Sequence, residues 1–359
     1  MRIAYLGQMA DVATENGISK KIRAQCLAWR EAGHEVRYFS LAPTAAVWPG
    51  MQPVSVELCA RGNPGQRIVN SFRLARRIEA WQPEAIYFRY AYHSPGLVRL
   101  FRAIPAIAEI NSDDQAEYPL TLSRAKIVYH RLTRKRILGS VAGFVAVTNE
   151  LAARFAGFGK PVRVIANGIA LSEYPLLPSP ELVRPTRLVF IGSAGSPWHG
   201  LDRVAEVASL IPDIAIDVIG ESAATAPAGT RVPAMRFHGP LSGREYEPIL
   251  RAATAALGTL GLHVKGMQEA CPLKVREYLA YGLPVIAAYH DTDVPDQADY
   301  FLQLPNSRES LAPHRDRIAA FITSWRGRRV PRASVLQIDA AAKESRRLEF
   351  IRQVSQSVA

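Results

Sequence analysis

The chain has 359 residues, 48% hydrophobic and 21% charged, long enough for two domains of ~100–200 residues and too apolar for a disordered chain. Its net charge is +12, and residues 1–180 hold 23 Lys+Arg against 13 Asp+Glu, while the remainder hold 21 against 19. The longest apolar run, Ala252 to Val264, falls short of the ~20 residues of a membrane span, and Cys26, Cys59 and Cys271 show no metal spacing and no even disulfide set, which fits a reducing cytoplasm. RIAYLG (2–7) reads as a strand that leaves no room for a signal peptide, and EVRYFSL (35–41) as a second. A helix from about Ser19 to Ala32, ended by Gly33, joins them, and this βαβ opening predicts a parallel α/β sheet. The loop after the first strand offers Gly7 and Gly17 but no G-x-G-x-x-G dinucleotide fingerprint. Gly17, just before the helix, permits close backbone approach to a ligand; a plain turn glycine is the alternative.

VSVELC (54–59), AIYFRY (85–90) and AIAEIN (106–111) continue the strands, with a basic helix from about Arg67 to Trp81. Arg89 and Glu109 close two of these strands, either as an ion pair or as substrate contacts, and His93 sits by an aromatic cluster, where a structural role is commoner. Between residues 124 and 137, Arg124, Lys126, Arg131, Arg134, Lys135 and Arg136 alternate with Ile127, Val128, Leu132 and Ile137. That is a basic amphipathic helix, suited to an anionic membrane surface or to plain solvent exposure. GFVAVTNELAARF (143–155) reads as strand, cap and helix, and Asn167-Gly168 as a turn. Pro175, Pro178, Pro180 and Pro185 then mark a domain boundary. The rhythm restarts with strands at 187–193, 215–221, 235–240 and 255–260, so a second doubly wound domain is expected, with its ligand crevice at the carboxyl ends of its strands. The tail from 334 to 354 is helical.

The most informative stretch is KGMQEACPLKVREYLAYGLPVIAAY (265–289). Pro272 fits the first position of a helix, Gly282 its left-handed closing residue, and PVIAAY a buried strand. Lys274, Glu277, Tyr278 and Tyr281 share one face, while Val275 and Leu279 form the apolar seam. The helix start at Cys271, Pro272 and Leu273 is rich in free N–H groups and, flanked by a lysine and two carboxylates, makes an end that attracts phosphate. Glu277, one turn in, can accept hydrogen bonds from a ribose diol.

Glu269 and Glu277, separated by seven residues and joined to EYLAYGLPVIA, resemble the E-x7-E signature of retaining GT-B glycosyltransferases of the family 4 type. V-I-A-N-G-I resembles the segment that ends the N-terminal domain there, with Ala170 in place of the usual aspartate. The resemblance implies two Rossmann-like domains facing each other across a cleft, over residues 1–175 and 176–333, with 334–359 returning to the first. It implies a nucleotide-sugar donor, a glycan or lipid-linked acceptor, and catalysis by Glu269, Lys274 and His199. Glu269 would contact the sugar, Glu277 the ribose, Lys274 and His199 the diphosphate, and Gly192 would belong to the glycine-rich loop beside it. Gly17 would approach the donor from the first domain. Two further positions depart from the family: Asn111 stands where a histidine often contacts the sugar, and His199 takes the place of a clamp lysine with no arginine before it. No D-x-D constellation accompanies the site, so no metal or other cofactor is expected. The implied setting is polysaccharide or glycolipid synthesis in the cytoplasm, peripheral on the inner membrane face. A non-catalytic binder of the same fold, or a GT-B epimerase or phosphorylase, is the rival reading. A nucleic-acid binder lacks any recognisable motif.

Overall fold

A computed structural model of the chain describes residues 1–7, 12–42, 46–60, 62–224 and 226–358. The chain divides into two compact units, Met1–Gly168 with Ala340–Ala359, and Ile169–Asp339. The first unit runs β1 (Arg2–Gly7), α1 (Gly17–Glu31), β2 (Glu35–Ala42), β3 (Ser55–Ala60), α2 (Pro64–Trp81), β4 (Ala85–Arg89) and α3 (Pro95–Ala103). It continues β5 (Ala106–Ile110), α4 (Asp114–Thr121), α5 (Arg124–Ser140), β6 (Gly143–Ala146), α6 (Asn149–Phe155) and β7 (Val162–Val164). These strands form one parallel sheet ordered β3-β2-β1-β4-β5-β6-β7, so the winding reverses at β1. Helix α1 starts earlier than the expected Ser19. Asn16 Oδ1 accepts the N–H groups of Ile18 (2.8 Å) and Ser19 (3.0 Å), and Ser19 Oγ accepts the Asn16 N–H (2.9 Å). This reciprocal cap places Gly17 in the first helical position. Residues 8–11 of the preceding loop lie outside the described residues. Beneath α1, Tyr5, Trp29, Tyr38 and Tyr87 are fully buried, and Tyr5 and Trp29 pack against each other and Tyr87 at 5.1–5.7 Å between ring centroids.

The second unit runs β8 (Thr186–Ile191), α7 (Leu201–Leu210), β9 (Ile214–Ile219), β10 (Met235–Gly239), α8 (Gly243–Ala252) and β11 (Ala255–Leu257). It continues β12 (Glu269–Ala270), α9 (Leu273–Ala280), β13 (Val285–Ala287), β14 (His290–Asp291), β15 (Phe301–Gln303) and α10 (Arg315–Ser324). Its main sheet is again parallel, ordered β10-β9-β8-β11-β13-β15, with β12 and β14 paired separately. The boundary falls at Gly168/Ile169, before the prolines. Tyr174 and Leu177 are buried, the Leu177 N–H donates to Tyr281 O (3.2 Å), and the Tyr174 ring packs on Tyr281 at 5.2 Å. Those contacts tie the start of the linker into the second unit. The tail helix α11 (Ala340–Val358) belongs to the first unit, where Glu344 accepts from Trp29 Nε1 (2.8 Å) and Arg347 Nε donates to Tyr87 OH (2.8 Å). No helix among the described residues is long and apolar enough to cross a membrane.

Candidate functional site

At the carboxyl edge of the second sheet, glycines keep the backbone bare. The Gly192 N–H donates to Ile219 O (2.8 Å), and a Cβ on Gly220 (φ +86°) would lie 2.3 Å from Gly192 O. Only glycine tolerates that approach. Helix α9 docks on this edge through two side chains of one face. Lys274 Nζ donates to Ile191 O (2.9 Å), and the Ile191 N–H donates to Tyr278 OH (2.6 Å). Val275 and Leu279, both fully buried, supply the apolar seam.

Pro272 is the cap of α9 rather than its first residue. Its carbonyl accepts the N–H groups of Val275 (3.0 Å) and Arg276 (3.2 Å), and its own φ/ψ is extended. The N–H groups of Leu273 and Lys274 therefore have no hydrogen-bond partner among the described residues. Pro272 and Leu273 are half-buried and Cys271 buried. Positive charge converges on this end. Lys274 Nζ lies 4.4 Å from the Phe190 ring centroid, and burial lowers its pKa from 10.5 to about 7. Lys265 Nζ lies 4.6 Å from the Trp198 ring centroid. Burial, reinforced by the charges of Lys274 and Lys265, drives His199 down to about 2. The position that would carry a clamp lysine thus holds a neutral imidazole, which can form hydrogen bonds but supplies no countercharge.

The two glutamates are held in different ways. Glu277 is buried, and its Oε1 accepts the Tyr246 hydroxyl of α8 (2.6 Å). Glu269 is half-buried on β12, paired opposite His290 of β14. That pairing is anchored by Arg276, which is fully buried and reaches Asp291 through two N–H groups (2.8 and 2.7 Å) and Asp293 through one of them (3.2 Å). The sequence places Tyr278 on the Lys274 face without giving it a partner, and it offers no reading of Tyr246 or of the Arg276–Asp291 pair. The available signal was an arginine on the seam side of α9 with two aspartates following the next strand.

In the first unit, Gly17 is exposed at the start of α1. Asn111 belongs to a buried polar cluster instead of standing alone. Its Oδ1 accepts from Lys21 Nζ (3.0 Å) and its Nδ2 donates to Glu109 (3.0 Å). Lys21 also reaches Glu109 (2.9 Å) and Asn167 (2.6 Å), while Arg89 (3.6 Å) and Arg347 (3.7 Å) face the same carboxylate. The expected Arg89–Glu109 pair is thus one edge of a larger network. Burial pushes the Glu109 carboxyl up, but Lys21, Arg347 and Arg89 outweigh it and hold it well below the usual range. His93 accepts or donates one bond with Tyr129 OH (2.8 Å). No group of three or more His, Cys, Asp or Glu side chains suited to a metal ion occurs among the described residues.

Residues 16–173 match the model of Glycosyltransferase Family 4. No curated protein sequence matches the chain. Three solved structures are similar over their whole lengths. Sucrose-phosphate synthase from Thermosynechococcus elongatus has a TM-score of 0.69 at 15% identity, with 99% of each chain covered. The lipopolysaccharide outer core galactosyltransferase WaaB, in its apo form, has a TM-score of 0.69 at 9% identity, covering 98% of this chain and 99% of that one. HepE of Anabaena, in complex with UDP and glucose, has a TM-score of 0.63 at 14% identity, covering 100% and 99%. At such identities the likeness is one of fold. The chain shares the GT-B fold of these structures along its whole length, and residues 16–173 match Glycosyltransferase Family 4.

Proposed function

We propose that the chain transfers a sugar from a nucleotide-sugar donor to a hydroxyl acceptor with retention at the anomeric carbon, in the synthesis of a cell-surface polysaccharide or glycolipid. The observation that carries this reading is the amino end of α9, where two unpaired N–H groups and Lys274 stand between Glu269 and Glu277. In this reading the diphosphate lies against Leu273 and Lys274, with Cys271 and Pro272 shaping the approach and Gly192 leaving room for it. Glu277 accepts from the ribose diol, and Glu269 from the sugar hydroxyls. His199 is a neutral hydrogen-bond group beside the phosphates. The acceptor hydroxyl passes its proton to a phosphate oxygen as the sugar–phosphate bond breaks, so no protein nucleophile takes part. Lys274 and the helix end stabilise the departing charge, and no metal is assigned, so chelation should leave turnover unchanged.

A panel of UDP, GDP and dTDP tested by thermal shift, then turnover with the matching nucleotide sugars, tests the donor site. One base should raise the melting temperature, and Glu277→Ala should abolish that response. No response to any nucleotide overturns the reading; binding without turnover or slow donor hydrolysis makes the chain a non-catalytic binder of the same fold. Product anomeric configuration, read by NMR, tests retention. The same reading places the protein peripherally on an anionic cytoplasmic surface. α5 carries Val128, Tyr129 and Leu132 exposed among its basic residues and has no acid. Phosphatidylglycerol vesicles should bind the protein at low salt and release it at high salt. Equal binding to phosphatidylcholine would remove that part.

A further inference from the structure

The first unit contains a cavity of about 340 Å³ between α4 and α5, and none of its lining residues is assigned above to the donor. It opens just beyond the end of β5, the edge where doubly wound sheets bind ligands. Tyr118, Pro119 and Ile127 give it apolar walls, and His130, Arg131 and Lys135 line the rest with Asp114 and Arg134. The charges are unequally satisfied. Asp114 accepts two bonds from Arg134 (2.7 and 3.0 Å), one from Tyr90 OH (2.9 Å) and shares one with His130 Nε2 (2.6 Å). Arg134 is further fixed over the rings of Phe155 and Phe158. That carboxylate and that guanidinium cancel. Arg131 and Lys135 are exposed and form no hydrogen bond or ion pair among the described residues. His130 is 3% exposed, packs its ring at 4.6 Å from that of Tyr118, and its Nδ1 has no hydrogen-bond partner among the described residues.

We propose that this cavity binds a phosphorylated polyol or sugar, with the phosphate on Arg131 and Lys135 and the ring or polyol chain against Tyr118 and Ile127. A volume at the small end of ligand pockets, an aromatic wall and two surplus cations match that chemistry. It rests on the proposed sugar transfer only in that an acceptor bearing such a group would be held there. The group can belong to a soluble phosphosugar or to a lipid headgroup, and the test separates them. Binding of glucose 6-phosphate, inorganic phosphate, and vesicles of phosphatidylglycerol is measured on the full chain with a saturating amount of whichever of UDP, GDP and dTDP the thermal-shift panel selects, to fill the proposed donor site. Two double variants are compared. Arg131→Ala/Lys135→Ala empties the cavity of its surplus charge, and Lys126→Ala/Arg136→Ala removes the same charge from the same helix outside the cavity lining. With glucose 6-phosphate or inorganic phosphate, the first should weaken binding roughly tenfold or more and the second by less than about twofold. With vesicles, which the other basic residues of α5 also attract, the first should lose clearly more than the second. Selective loss with glucose 6-phosphate assigns the soluble source, and selective loss with vesicles alone assigns the headgroup. Equal loss in both variants, or no binding of any probe, overturns the proposal. No response to UDP, GDP or dTDP with an intact phosphate response counts against the donor site alone.

Discussion

Two lysines, Lys21 buried in the first unit and Lys274 half-buried in the second, differ in a way that separates architecture from chemistry. Lys21 and Lys274 both lie near the start of a helix, and burial lowers both, to about 8 and about 7. Lys21 has three oxygen partners, from Glu109, Asn111 and Asn167, and one of them is a carboxylate. Lys274 has one backbone carbonyl and the face of Phe190. An ammonium carries three donors. The first is saturated by its own protein, while the second keeps donors to spare beside two unpaired N–H groups. A buried cation without an anionic partner is costly, and a diphosphate would supply one.

The largest expected effect lies on the saturated side. Glu109→Ala would leave Lys21, Arg89 and Arg347 facing one another around an empty site, and should destabilise the protein by about 3–5 kcal/mol. Urea unfolding of wild type and variant measures this. Lys21→Met added to Glu109→Ala should recover part of the loss, because the strongest uncompensated charge goes with it. If Glu109→Ala unfolds at the wild-type midpoint, the cluster is not a structural unit and the contrast with Lys274 collapses.

Next comes the unsaturated lysine. Lys274→Met should weaken nucleoside diphosphate binding roughly 10- to 100-fold, the worth of a charge-assisted contact to phosphate. It should not lower stability. The folded pKa is depressed from 10.5 to about 7, so Lys274 costs stability fully below about pH 7 and the cost disappears as pH rises toward 10.5. Binding has its own sign. The diphosphate prefers the protonated amine, so binding takes up a proton above pH 7. Above pH 7, where the terminal phosphate is already fully ionised, affinity should fall by at most roughly tenfold per pH unit. Isothermal titration across pH 6–9 reads this slope. Lys274→Met should abolish it, and a slope that survives would place the titrating group elsewhere.

How much of this was legible in the chain follows from which forces are local. The order of strands and the E-x7-E stretch could be read because alternation, caps and glycine stops act within a few residues. Helices α4 and α8 escaped because Pro119 and Pro248 interrupt their pattern, and tertiary packing overrides that penalty. Asn111 reads as an open polar residue after a strand, since its partners Lys21 and Glu109 meet it only through the fold of the sheet. Arg276 stands beside the apolar seam of its helix and is fully buried, but its partner Asp291 arrives only from beyond the next strand. Long-range charge pairing leaves no local signature.

The smallest effect concerns how finely the ribose contact is held. Tyr246 donates to Glu277 Oε1 across 2.6 Å inside the second unit, and burial with the neighbouring carboxylate keeps that phenol protonated by raising its pKa. Tyr246→Phe removes one hydrogen bond and little volume, worth about 1 kcal/mol, so UDP affinity should drop roughly three- to tenfold. The informative comparison is pyrophosphate, which has no ribose. If Glu277 serves the sugar diol, Tyr246→Phe should leave pyrophosphate affinity unchanged, whereas Lys274→Met should weaken both ligands alike. Equal losses for UDP and pyrophosphate in Tyr246→Phe would mean that the hydroxyl supports the helix end as a whole. Glu277 would then be part of the scaffold, on the same side of the contrast as Lys21.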